Sequence, residues 1–102
     1  MNAQDYRAKV QGVVTDTSQA IAAGATVTLI NTKTGIRTAK QSSATGQYVF
    51  EYVEPGDYEV DVELQGFTKF VQKNVAIQAR GDVTVNAMLR PGSTHESVVV
   101  EA

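Results

Sequence analysis

Asp57, Glu59, Asp61 and Glu63 alternate along one stretch of this chain, opposite Tyr58, Val60, Val62 and Leu64. On a strand, side chains two apart leave the same face, roughly 6.5 to 7 Å from one another. Such a row of carboxylates could hold a cation or a basic partner. Calcium, however, takes about six to eight oxygens converging from a loop, and a pleated row diverges. The row therefore reads as a solvated face that meets Lys or Arg on a neighbouring strand. His95 is the single histidine and follows Gly92, Ser93 and Thr94. A catalytic base must be held in place, and a hydrolase also needs a nucleophile and an orienting acid. With one histidine and no cysteine, a zinc site lacks its usual ligands. These residues predict no catalysis, no metal and no cofactor.

The elements that position these residues are strands. From Gly46 to Phe67 apolar residues fall at every second position, and Pro55-Gly56 interrupts them where a turn must reverse the chain. The 8 glycines recur mostly ten to twelve residues apart, the interval expected of short strands in a sandwich or barrel. The alternation predicts strands over 9–15, 26–31, 36–41, 47–52, 58–64, 68–77 (broken near Asn74) and 83–89. Their inward residues would be Val10, Val14, Val27, Leu29, Tyr48, Phe50, Tyr58, Val60, Val62, Phe67, Phe70, Val75, Ile77, Val83, Val85 and Leu89. The stretch from Gln19 to Ala23 is too short for a stable helix and reads as a loop. The expectation is an all-β, seven-stranded antiparallel sandwich.

With 102 residues, the chain makes one domain. Its 42 % hydrophobic and 20 % charged composition suits a globular protein. Nine basic residues against eleven acidic ones give no electrostatic case for nucleic acid. No apolar run approaches the roughly 18 residues of a membrane-spanning helix. The start is polar and has no signal-peptide core, so 1–6 is expected to be disordered or tag-like, ahead of a sandwich over 7–90. Residues 91–102 form a linker and an extended tail, and the chain reads as a fragment of an exported protein.

The motifs Val10-Gln-Gly12-Val-Val14-Thr-Asp16, Gly24-Ala25-Thr-Val27-Thr-Leu29, Gly46-x-Tyr48-x-Phe50, Pro55-Gly56-x-Tyr58-x-Val60-x-Val62 and Gly66-Phe67 follow in order. Together they resemble the carboxypeptidase regulatory-like domain, a prealbumin-like sandwich related to Cna B-type and starch-binding-like modules. Ala23 stands where the family often has Pro, Gln19 where a loop Gly is common, and Ser42-Ser43-Ala44-Thr45 lacks a frequent Asp. Some Cna B-type domains join a Lys to an Asn through an isopeptide bond. Lys9 and Asn86 would be that pair here, with Glu51 or Glu59 as the acid, but the parity of Lys9 points it outward. Relatives that bind sugars imply an aromatic platform, for which Tyr6 and Tyr52 are the exposed candidates.

Glu96, Ser97, Val98, Val99, Val100, Glu101 and Ala102 resemble a TonB box, found near the start of TonB-dependent outer-membrane receptors. One group of those receptors places a regulatory-like domain directly ahead of that box. The resemblance implies a non-catalytic periplasmic module whose partner is TonB or the rest of its own receptor chain. Physically, three valines favour an extended backbone, and an unpaired strand can add to a partner's sheet edge. Pairing of 97–100 with the domain's own sheet is the alternative, and it fits a structural, adhesive or carbohydrate-binding-like module of a secreted protein.

Overall fold

The computed structural model describes residues 6–93 and 95–101. Within them the chain is all β, as the alternation implies, but it divides into nine strands rather than seven. These are β1 (Ala8–Asp16), β2 (Thr26–Asn31), β3 (Arg37–Gln41), β4 (Gln47–Val53), β5 (Gly56–Glu63), β6 (Lys69–Ile77), β7 (Asp82–Thr84), β8 (Ala87–Leu89) and β9 (Ser97–Glu101). One sheet has the order β4-β1-β7, with β8 also on β1; the other runs β3-β2-β5-β6-β9. The sheets enclose Val10, Val14, Val27, Tyr48, Phe50, Val60, Val62, Val85 and Leu89. Phe67 and Val83, expected inside, are only partly buried against this cluster. Ala8, Ala22, Ala25, Val53 and Ala87 join the core beyond the expected set.

Two further corrections concern pairing. The sandwich is not wholly antiparallel, because β7 and β8 run parallel to β1, and β9 runs parallel to β6. The expected strand over 83–89 splits at Val85 and Asn86. Val85 N donates to Gln11 O at 2.8 Å, and Asn86 Oδ1 accepts from Val13 N at 3.0 Å. The Tyr48 hydroxyl donates to the carbonyl oxygen of Val85. That backbone passes so close to Gly12 that a Cβ there would lie 1.9 Å from Val85 O. Only glycine permits the approach.

Two strands carry an extra residue. The β1–β4 register shifts between Ala8 and Val10, and Tyr52 on β4 takes φ 58°. The β5–β6 register shifts between Tyr58 and Val60, and Asn74 takes φ 60°. Both are bulges, which bend a strand and re-aim its side chains. The irregularity expected near Asn74 is thus present without ending the strand. Gln19 also has positive φ, and 19–23 holds no helix. Tyr6 is anchored, its carbonyl accepting from Arg80 N and its hydroxyl donating to Glu54 Oε1. Of the expected loose start over 1–6, the remainder lies outside the described residues.

Phe50 is 2 % exposed, so Phe50→Ala is expected to cost about 3–5 kcal/mol. Phe67→Ala, at the edge of the core, should cost clearly less. Gly12→Ala should destabilise by roughly 3 kcal/mol or more through a backbone clash. Urea unfolding of the three variants checks the ranking; a Gly12→Ala midpoint like wild type would refute the close approach.

Candidate functional site

The acidic row lies on the outer face of the five-stranded sheet, and it is not uniformly solvated. Asp57 and Glu63 are exposed and Glu59 is half-buried, whereas Asp61 is 4 % exposed. The cation expected on a neighbouring strand is Lys69 of β6, and Lys33, in the turn after β2, adds a second. Lys69 Nζ lies 3.2 Å from Asp61 Oδ2 and 3.7 Å from Glu63 Oε1, and Lys33 Nζ lies 4.0 Å from Asp57 Oδ2. Asp61 Oδ1 is buried with no hydrogen-bond partner. A proton on Glu59 would supply one, and hydrogen bonding to Asp61, followed by burial and the Asp61 charge, holds the Glu59 carboxyl above its usual value. The burial arises because Asp61 sits between Thr28 and Val71 in the ladder, in a strand with neighbours on both sides. Among the described residues no group of three His, Cys, Asp or Glu could hold a metal ion.

The other sequence candidates separate in space. Lys9 is in register with Asp82 and lies 3.9 Å from its Oδ2, while Asn86 is committed to Val13. Lys9 is half-buried with 41 % of its side chain exposed, and Asn86 is exposed, so neither meets the dry environment that a Lys–Asn crosslink needs. His95 is exposed in the turn before β9, its backbone N donating to Ser93 Oγ. Tyr6 and Tyr52 are exposed, as parity implies, at 50 % and 65 %. They do not form a free platform: Arg7 lies over the Tyr52 ring at 4.9 Å, and the Tyr6 hydroxyl is bonded to Glu54. A cleft of about 350 Å³ opens beside Tyr52 between β3 and β4, with Leu29, Ile36 and Phe50 among its lining. Sequence reading missed it because β3 and β4, though consecutive in the chain, are edges of two different sheets, and alternation does not show that their sides face one another.

The tail is extended, as three valines favour, but it is paired rather than free. Ser97–Glu101 lies parallel to β6, with Lys69 opposite Ser97, Val71 opposite Val99 and Lys73 opposite Glu101. The junction is tied down by Gly92 N to Gly66 O, Thr68 N to Arg90 O and a bridge between Phe67 and Pro91. Ala102, the last box-like residue, and Thr94 of the junction lie outside the described residues. β9 adds little to the core. Val98 is half-buried, while Ser97, Val99, Val100 and Glu101 are exposed. A net backbone hydrogen bond contributes about 1 kcal/mol, and ordering one residue costs about 1–2 kcal/mol. The docking is therefore marginal, held by backbone pairing with little apolar burial behind it.

The two edges of this sheet differ. β3 reads Arg37-Thr-Ala-Lys-Gln41, all exposed and carrying two cations, a composition that discourages further pairing. β9 reads Ser-Val-Val-Val-Glu and has no such protection. The unprotected edge is the candidate interaction site.

The carboxypeptidase regulatory-like domain matches residues 9–90, and the chain belongs to that family. No curated protein sequence matches it. Among solved structures it is similar to a putative carbohydrate binding protein from Bacteroides uniformis, at 20 % identity and TM-score 0.66. That match covers 83 % of this chain and 42 % of the other. A type II cohesin–X-dockerin complex from Acetivibrio cellulolyticus matches at 18 % identity and TM-score 0.65, over 80 % of this chain and 56 % of the other. Catechol 1,2 dioxygenase from Acinetobacter radioresistens matches at 13 % identity and TM-score 0.63, over 97 % of this chain and 58 % of the other. At these identities the shared property is the β-sandwich. In each case this chain spans well under two thirds of the protein it resembles.

Ionising Glu59 beside Asp61 costs stability as pH rises from the usual glutamate range through its raised folded value. Glu59→Gln should therefore raise the melting temperature by a few degrees at pH 7, and the gain should vanish below about pH 4. Melting curves from pH 3 to 7 test this; equal gains at both ends would contradict it. The denatured mass should equal the calculated one, since a chain lighter by one ammonia would require the Lys9–Asn86 bond.

Proposed function

We infer that this chain is a non-catalytic accessory module ahead of a TonB-dependent outer-membrane receptor, and that Glu96–Ala102 couples to TonB by strand addition. One observation carries the reading: a regulatory-like sandwich is followed at once by an acidic-Ser-Val-Val-Val-acidic-Ala segment, and Ser97–Glu101 of it occupies the sheet's unprotected edge. The side chains of Ser97–Glu101 are mostly exposed and, among the described residues, no strand pairs with their outer backbone, so a partner strand has access. Family membership supports a regulatory or binding role rather than catalysis. The placement implied is the periplasmic face of the outer membrane.

The pairing of the tail with β6 favours a second reading. A strand folded into its own sandwich also suits a structural or adhesive surface module, and a carbohydrate-binding-like role would use the cleft beside Tyr52. The two readings separate in one titration. The intact chain should bind the periplasmic domain of TonB, and glycine at Val98, Val99 and Val100 together should weaken binding at least tenfold. Absence of binding, with retardation on polysaccharide gels that Tyr52→Ala removes, would favour the second reading instead.

A further inference from the structure

We propose that the partner strand adds to the free edge of β9 while β9 stays paired with β6, through the outward backbone groups of Ser97, Val99 and Glu101. The inference rests on the coupling role proposed above and specifies how the contact is made. Lys69 N donates to Glu96 O at 2.9 Å. In a parallel ladder, successive residues turn their backbone groups to opposite sides. The register of Lys69 with Ser97 and Val71 with Val99 therefore aims the N–H and C=O of Val98 and Val100 at β6. It equally aims those of Ser97, Val99 and Glu101 away from it. Each of these three outward residues carries one donor and one acceptor, the pattern a strand offers to its next neighbour.

The side chains are consistent with this mode. Val99 is 50 % and Val100 40 % exposed, one on each face of the sheet, so an added strand gains apolar contact on both sides. Nothing on the edge resembles the cations of β3. A partner using this edge leaves every β6–β9 bond in place and orders a strand that is only weakly held. Docking on β6 and binding the partner then reinforce each other, because they use opposite sides of one backbone. A mechanism in which β9 must first leave β6 makes the opposite demand, since the two pairings would compete.

Hydrogen exchange on the intact chain, with and without the TonB periplasmic domain, separates the two. The amides of Lys69, Val71 and Lys73 face β9, and the proposal expects their exchange to slow severalfold on binding. Faster exchange there, with binding intact, would overturn the edge mode and leave the coupling role standing. Val99→Pro removes an outward N–H without touching a β6 bond, so it should lower affinity at least tenfold while leaving the melting temperature unchanged. Val99→Pro binding like wild type would also overturn the edge mode. Failure of the wild-type chain to bind would instead sink the coupling role itself, and a dimer formed through Val99 would assign the edge to a second copy.

Discussion

The close approach of Val85 to Gly12 sets the geometry on which the rest of the molecule depends. β1 has β4 on one side, and on the other it must receive the returning chain twice, first as β7 and then as β8. The chain manages both by stepping over Gly12. Val85 N bonds to Gln11, its carbonyl accepts from Tyr48, and Asn86 then caps Val13. Val85 stays buried at 2 % through this step, so Ala87 and Leu89 can re-enter the core in register with Val14 and Asp16. Burial of the Tyr48 ring leaves its hydroxyl dependent on that one carbonyl, since a buried donor without a partner is costly. A Cβ at Gly12 would lie 1.9 Å from Val85 O, so the backbone of Val85 could not hold the position from which it makes its bonds to Gln11 and Tyr48.

The path of the tail follows from this. β8 ends at Leu89, and Pro91 bridges to Phe67 beside the other sheet. From there a turn at Ser93–Glu96 brings the backbone to the start of β6, and β9 can only run parallel to it. The strand proposed to meet a partner is thus delivered by the same crossing that closes the core. Its weak docking is a consequence of position, because by then the interior is full and of the residues of β9 only Val98 is even half-buried.

How much of this was legible in the sequence depended on the physical signal involved. Alternation over 46–67 marks Tyr48, Phe50, Tyr58, Val60 and Val62 as interior, and all five are buried. The same rule misjudges Asp61, which alternation assigns to solvent and which neighbouring strands and Lys69 cover. Parity reports a face, and burial on that face depends on what lies across it. The last expected strand looked continuous because Val83, Val85, Ala87 and Leu89 keep a period of two; its break comes from a contact with Gly12, some seventy residues earlier. Alanines 22, 25 and 87 carry too little hydrophobic signal to be read as core. The tail was readable as extended, whereas its partner strand was not, since three valines favour a strand against any available edge.

We infer that this sandwich precedes an outer-membrane receptor and presents the strand through which that receptor is energised. The parent reading frame tests it most directly. A plug followed by many segments of about ten alternating residues, the pattern of a membrane β-barrel, is the predicted result downstream. Further copies of this sandwich in that position would contradict the account and make β9 an ordinary last strand of a surface array.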